Sequence, residues 1–171
     1  MQRRREPAGA AEEEVAMKTL VAYYNESPDS ERMAKRIADA TKGDLFEITP
    51  AQPYTAADLD WSGKDSRSYL ETNDETARPE LAAEVEDMDS YELIFVGFPI
   101  WGYVEPRFID TFLESYDLSG KRIVPYSDGD ATQAAERVRG LCPAAEVRDG
   151  RRINTTDTDA TLFQWLAPLT R

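Results

Sequence analysis

Three short stretches hold the residues whose types and spacing could do chemistry. The first is Asn25-Glu26-Ser27-Pro28-Asp29-Ser30, where two hydroxyls and two carboxylates stand between an apolar run and an amphipathic pattern. If the run is a strand and the pattern a helix, the turn lies at the strand's carboxyl end. There Ser27 and Ser30 can donate to an anion, and the helix N-terminus favours a phosphate. The same residues also read as a helix start, with Ser27 as N-cap, Pro28 as first helical residue, and Asp29 and Glu31 complementing the helix dipole. The second stretch, Pro99-Ile100-Trp101-Gly102-Tyr103, follows the most apolar run of the chain, and its aromatics suit the face of a flat ligand. The third, Ser127-Asp128-Gly129-Asp130, is polar and turn-like, able to accept hydrogen bonds from a ligand or to start a helix.

The elements that position these stretches alternate. Thr19 to Tyr23, Asp44 to Ile48, Leu93 to Phe98, Lys121 to Tyr126 and Ala145 to Val147 read as strands. Between them, Met33, Ala34, Ile37, Ala38 and Thr41 follow the helical period, with Gly43 suited to the C-terminal turn. Pro106 to Leu113, Ala131 to Leu141 and Thr161 to Leu169 are further helix candidates. The segment Thr49 to Tyr91 is rich in Pro and acid; it offers Thr55 to Leu59 and Ser66 to Tyr69 as short helical pieces, and Pro79 to Val85 as a helix or an extended segment. Such alternation predicts an α/β, doubly wound parallel sheet. Residues 1–16, with an Arg cluster, a Pro-Ala-Gly break and a run of Glu, read as a disordered tail before one domain over 17–171. Met17 directly precedes the first strand, which leaves open whether translation starts there or at Met1.

Composition narrows the function classes. With 171 residues, 41% of them hydrophobic, the chain can build one real core. Its net charge of -13 disfavours nucleic acid and anionic membranes as partners. There is no histidine, so His triads and His metal ligation are excluded, and the single cysteine, Cys142, precludes an intrachain disulfide. Cys142 reads as a packing residue, and the acidic clusters Asp58 to Asp60 and Glu84 to Asp89 as solvated faces without metal-site spacing. No run has the length of a membrane span, so a cytoplasmic location is expected.

The opening KTLVAYY, the segment DLFEITPAQPYT, ARPELAAEVEDMDSYELIFVGFPIW and FLESYDLSGKRIVPYSDG together resemble the flavodoxin family, in its order, over nearly all of 17–171. That resemblance implies a five-stranded parallel sheet with helices on both faces and FMN held by three loops at the strands' carboxyl ends. By position it implies cofactor contacts from Asn25, Ser27, Asp29 and Ser30 around the phosphate. Pro99, Ile100, Trp101, Gly102 and Tyr103 would lie at the ring, Trp101 foremost, with Ser127, Asp128, Gly129 and Asp130 in the third loop. The implied activity is FMN-dependent electron transfer with a redox partner protein or a small-molecule acceptor. One alternative is an NAD(P)H:acceptor oxidoreductase of quinone type. The other is a binding module without flavin, favoured by Pro28, Glu26 and a short third loop.

Overall fold

The computed structural model describes residues 17–171; the expectation of a disordered tail over 1–16 lies outside them. The chain builds one parallel sheet from strands β1 (Thr19–Tyr23), β2 (Asp44–Glu47), β3 (Leu93–Gly97), β4 (Arg122–Ser127), β5 (Glu146–Val147) and β6 (Arg151–Arg152). Strand order is β2-β1-β3-β4-β5, and β6 also pairs with β4. β5 and β6 are thus two halves of one fifth strand. The order reverses after β1, which opens a crevice at the carboxyl ends of β1 and β3.

Alternating side chains of each central strand enter two cores. Leu20, Ala22, Ile94, Val96 and Ile123 join Phe108, Ile109 and Phe112 of helix α3 (Arg107–Glu114) and Val138 of α4 (Thr132–Leu141). Val21, Tyr23, Leu93, Phe95 and Val124 join Met33, Ala34 and Ile37 of α1 (Pro28–Thr41) and Leu162 and Leu166 of α5 (Asp159–Leu166). Both faces of β1 and β3 are fully buried, which is why these strands are continuously apolar.

Local details depart from the sequence expectation in physically readable ways. The left-handed residue that ends α1 is Lys42, with φ of 56°, rather than Gly43. A Cβ on Gly43 would come within 3.0 Å of the Thr19 carbonyl, so this glycine serves close approach of helix end and strand. Thr55 to Leu59 forms turns instead of a helix, closed by reciprocal bonds between Thr55 and Asp58. The short helix α2 spans Arg67–Thr72, capped by the Ser66 hydroxyl on the Tyr69 N–H. Pro79 to Val85 is extended, with Leu81 bridging Pro50. The last helix stops at Leu166 and continues as a 3-10 turn, Ala167–Thr170, around Pro168.

Pro125 explains the divided fifth strand. In β4, Ile123 and Ser127 offer their carbonyls to the N–H groups of Arg148 and Ile153 at 2.9 and 2.8 Å. By alternation Pro125 faces the same neighbour, and it has no N–H to give. The pairing lapses opposite it, between Val147 and Arg151. There Gly150 sits so close to the Ala131 carbonyl that a Cβ would stand 2.4 Å from it. The kink brings Ile153, Asn154 and Thr155 to the carboxyl end of the sheet.

Candidate functional site

A cleft opens at that end, with about 690 Å³ of empty space, its open mouth included. Its floor is formed by Tyr23, Gly97, Tyr126 and Ile153, one wall by Ser27, Asp29, Ser30 and Met33 of the first loop and α1, and the rim by Ser127, Asp128, Asn154 and Thr155.

The first wall is an open helix end. Ser27 occupies the N-cap position in extended backbone, yet its hydroxyl accepts no backbone N–H. Elsewhere in the chain the corresponding Ser66 and Thr158 do cap their helices by side-chain bonds. The Ser27 hydroxyl instead lies 3.4 Å from that of Ser30, so two hydroxyls face one cleft at the positive end of a helix dipole. The self-capped reading of this turn is therefore half right: Ser27 and Pro28 hold the expected positions, but the capping bond is not made. The Asp29 carboxylate is paired with Arg32 at 2.5 Å, which offsets its repulsion of an anion.

Gly97 and Tyr126 are register partners on β3 and β4. The phenol lies across the glycine, leaving 2.3 Å to any added Cβ, so the floor has this shape only with Gly at 97. The Tyr126 hydroxyl is buried without a hydrogen-bond partner, and burial pushes its pKa up.

The second loop is a two-residue hairpin. Trp101 and Val104 form an antiparallel bridge, with Trp101 donating to the Val104 carbonyl at 2.8 Å. Gly102 and Tyr103 at its tip have φ of 59° and 81°, the signature of a type I′ turn. Trp101 is only 6% exposed, ringed by Tyr24, Tyr54, Trp61 and Phe108 at centroid distances of 5.2 to 6.5 Å. Tyr103 is 74% exposed. The aromatic that faces outward is thus Tyr103, while Trp101 forms the packed base of the hairpin. Neither lines the cleft.

Of the other expected residues, Ser27, Asp29, Ser30, Ser127 and Asp128 share the cleft, and Asn25 stands exposed beside it. Pro99 is buried and Ile100 half-buried; Ile100 packs against Gly129, where a Cβ would meet its side chain at 3.0 Å. That contact binds the second loop to the third. Asp130 caps its own turn, accepting from the Thr132 N–H and hydroxyl, which hold its carboxyl below the usual range. Glu26 has surroundings that its sequence neighbourhood did not disclose. Desolvation of its carboxyl, and then the nearby Asp128, push its pKa up, while the neighbouring Trp101 acts the other way.

Sequence reasoning missed the floor and the Asn154-Thr155 rim. Tyr126 and Gly97 could have been found as strand-end residues at the ligand face. The rim could not, because the Arg151-Arg152 strand that delivers it is too short and polar to register as one.

The comparisons agree with this architecture. A candidate flavoprotein from Bacteroides eggerthii is 39% identical, with a TM-score of 0.84 over 91% of this chain and 99% of its own. One from Bacteroides uniformis is 38% identical, with a TM-score of 0.82 over 89% and 99%. A flavoprotein from Lactobacillus acidophilus, in complex with FMN, shares the fold at 21% identity and a TM-score of 0.67 over 88% and 99%. No curated protein matches the chain in sequence. Among the described residues, no helix is long and apolar enough to cross a membrane. The family model for flavodoxin matches residues 18–169, the whole of the sheet and the cleft, and the chain accordingly belongs to the flavodoxin family.

Proposed function

We propose that the cleft binds FMN and that the protein passes electrons through it to a partner protein or a small acceptor. The observation that carries this reading is the uncapped start of α1, where the hydroxyls of Ser27 and Ser30, bonded to each other and not to the helix backbone, face one cleft. Two hydroxyls at a helix N-terminus that are not used as caps suit a phosphate monoester. The FMN held by the Lactobacillus relative supports the cofactor's identity. The donor set fits: two hydroxyls at the phosphate end, a floor that excludes a Cβ at residue 97, and an unpartnered Tyr126 hydroxyl beneath it.

When bound, FMN supplies one- and two-electron redox chemistry. The chain's own residues do the rest. Ser27 and Ser30 hold the phosphate end, and Gly97 and Tyr126 shape the floor.

The test is titration of purified protein with FMN and with riboflavin, followed by flavin fluorescence. FMN should quench and bind more tightly than riboflavin. Replacing both serines by Ala should abolish that preference, since a hydrogen bond to a charged group is worth about 1.5 to 3 kcal/mol. Absence of binding by either flavin would refute the proposal and favour the module without cofactor. Consumption of reduced nicotinamide by the FMN-loaded protein would move the reading to an NAD(P)H:acceptor oxidoreductase.

A further inference from the structure

Beneath the aromatic hairpin lies a group of charges that the cleft does not use. Glu105, directly after the hairpin, and Asp110, on α3, are both fully buried. Arg137 of α4 spans them, its Nε 3.1 Å from Glu105 Oε2 and its Nη2 2.8 Å from Asp110 Oδ2. Each carboxyl is thereby satisfied on one oxygen. The other two, Glu105 Oε1 and Asp110 Oδ1, are buried with no partner. One guanidinium, that of Arg137, binds both carboxyls and so holds them side by side, and two ionised carboxylates have only acceptors to offer one another. A proton on one of them supplies the donor that both orphans lack.

We propose that Glu105 is a protonated positioning residue, donating from Oε1 to Asp110 Oδ1 and so fastening the Trp101–Val104 hairpin to α3 and α4.

The surrounding charges are consistent with one extra proton. From α3 come Arg107, 3.6 Å from Asp110, and Glu114; from the segment after α2 come Arg78, 3.8 Å from Asp110, and Glu75, 3.1 Å from Arg137. With Arg137, three cations then face Asp110, Glu75, Glu114 and Asp74, an excess of one negative charge that an ionised Glu105 would double. The Cys142 thiol at the end of α4 also feels Glu114 and Asp110. Burial first, and then the bond to Asp110 and its charge, push Glu105 up to about 9. Arg107 Nε and Nη2 meanwhile hold the carbonyls of Glu71 and Thr72, so the same group also anchors the end of α2. The bearing of this fastening on flavin rests on the function proposed above; the proton itself does not.

The test uses flavin-free protein, so failure of FMN to bind leaves it intact. A carboxyl whose pKa is raised by folding stabilises the native state fully below its ordinary pKa and loses that contribution as pH rises through the folded value. The unfolding constant of the wild type relative to Glu105→Gln, read from urea melts, should therefore climb about tenfold per pH unit between about pH 5 and 9 and then level off. A flat ratio would overturn the proposal. Carbon-13 NMR of the wild-type Glu carboxyls provides the same reading without a variant: one Glu resonance should remain protonated at pH 7, and its absence refutes the proton. The Trp101 indole and Val104 amide signals should shift with the same midpoint as that carboxyl. Hairpin signals that ignore its titration would refute the positioning role.

Discussion

Tyr103→Gly should stabilise the protein. Tyr103 holds φ of 81° at the third position of the hairpin turn, a region that costs an L-residue with a Cβ roughly 1 to 2 kcal/mol. Its side chain is 74% exposed, so truncation removes little packing. Glycine occupies this region without strain but loses more backbone entropy on folding, about 0.4 to 1 kcal/mol. The difference leaves a net gain of about 0.5 to 1 kcal/mol, or an upward shift in Tm of about 1 to 4 °C for a domain of this size. Urea denaturation of the flavin-free protein, followed by tryptophan fluorescence, would report it as a higher midpoint at unchanged slope. Tyr103→Asn should fall between the two, because Asn tolerates the left-handed region better than Tyr. FMN titration of the same variants should show unchanged binding, because Tyr103 does not line the cleft. A midpoint that falls on Tyr103→Gly would refute the reasoning, since it would mean that the exposed ring contributes more than the backbone strain removes.

Two further outcomes follow from close contacts. Gly150→Ala should destabilise by about 1 to 3 kcal/mol in the same urea assay, because the new Cβ meets the Ala131 carbonyl at 2.4 Å and backbone cannot swing aside. Cys142 is 7% exposed with its thiol pushed up to about 11, mainly by burial, so at pH 8 a disulfide reagent should label it only as fast as the protein opens. Immediate labelling of native protein would contradict that burial.

The fold was legible where local pattern and tertiary role coincide. Leu93 to Gly97 is apolar throughout because both faces of its strand are covered, and Met33 to Ala38 keep helical period because one face of α1 is. Within Thr49 to Tyr91 the helical piece at Ser66 to Tyr69 was legible from its cap, while the rest of the segment was not, since its order comes from distant partners: Pro50 against Leu81, Tyr54 on Glu71, and Arg107 on Glu71 and Thr72. Trp101 was placed at the ligand end by its position after β3, but its burial depends on Tyr54 and Trp61, which sequence order does not join to it. The open cap at Ser27 was equally hidden. Ser-Pro-Asp has the composition of a closed helix start, and only the rotamers of Ser27 and Ser30 show the hydroxyls paired with each other instead. Glu105, Asp110 and Arg137 are ordinary surface residue types, brought together only by the packing of α3 on α4.

The lapse in pairing opposite Pro125 has a consequence for how copies of the chain meet in solution. A parallel sheet ends in a strand whose outer N–H and C=O groups invite another chain to add to it. Here that border is two fragments of two residues each, offset by a kink and carrying Arg148, Arg151 and Arg152. No run of outward amides along these two fragments is long enough to template a neighbour. A proline in the fourth strand thus guards the rim of the fifth against strand exchange and fibre growth, at the cost of one inter-strand hydrogen bond.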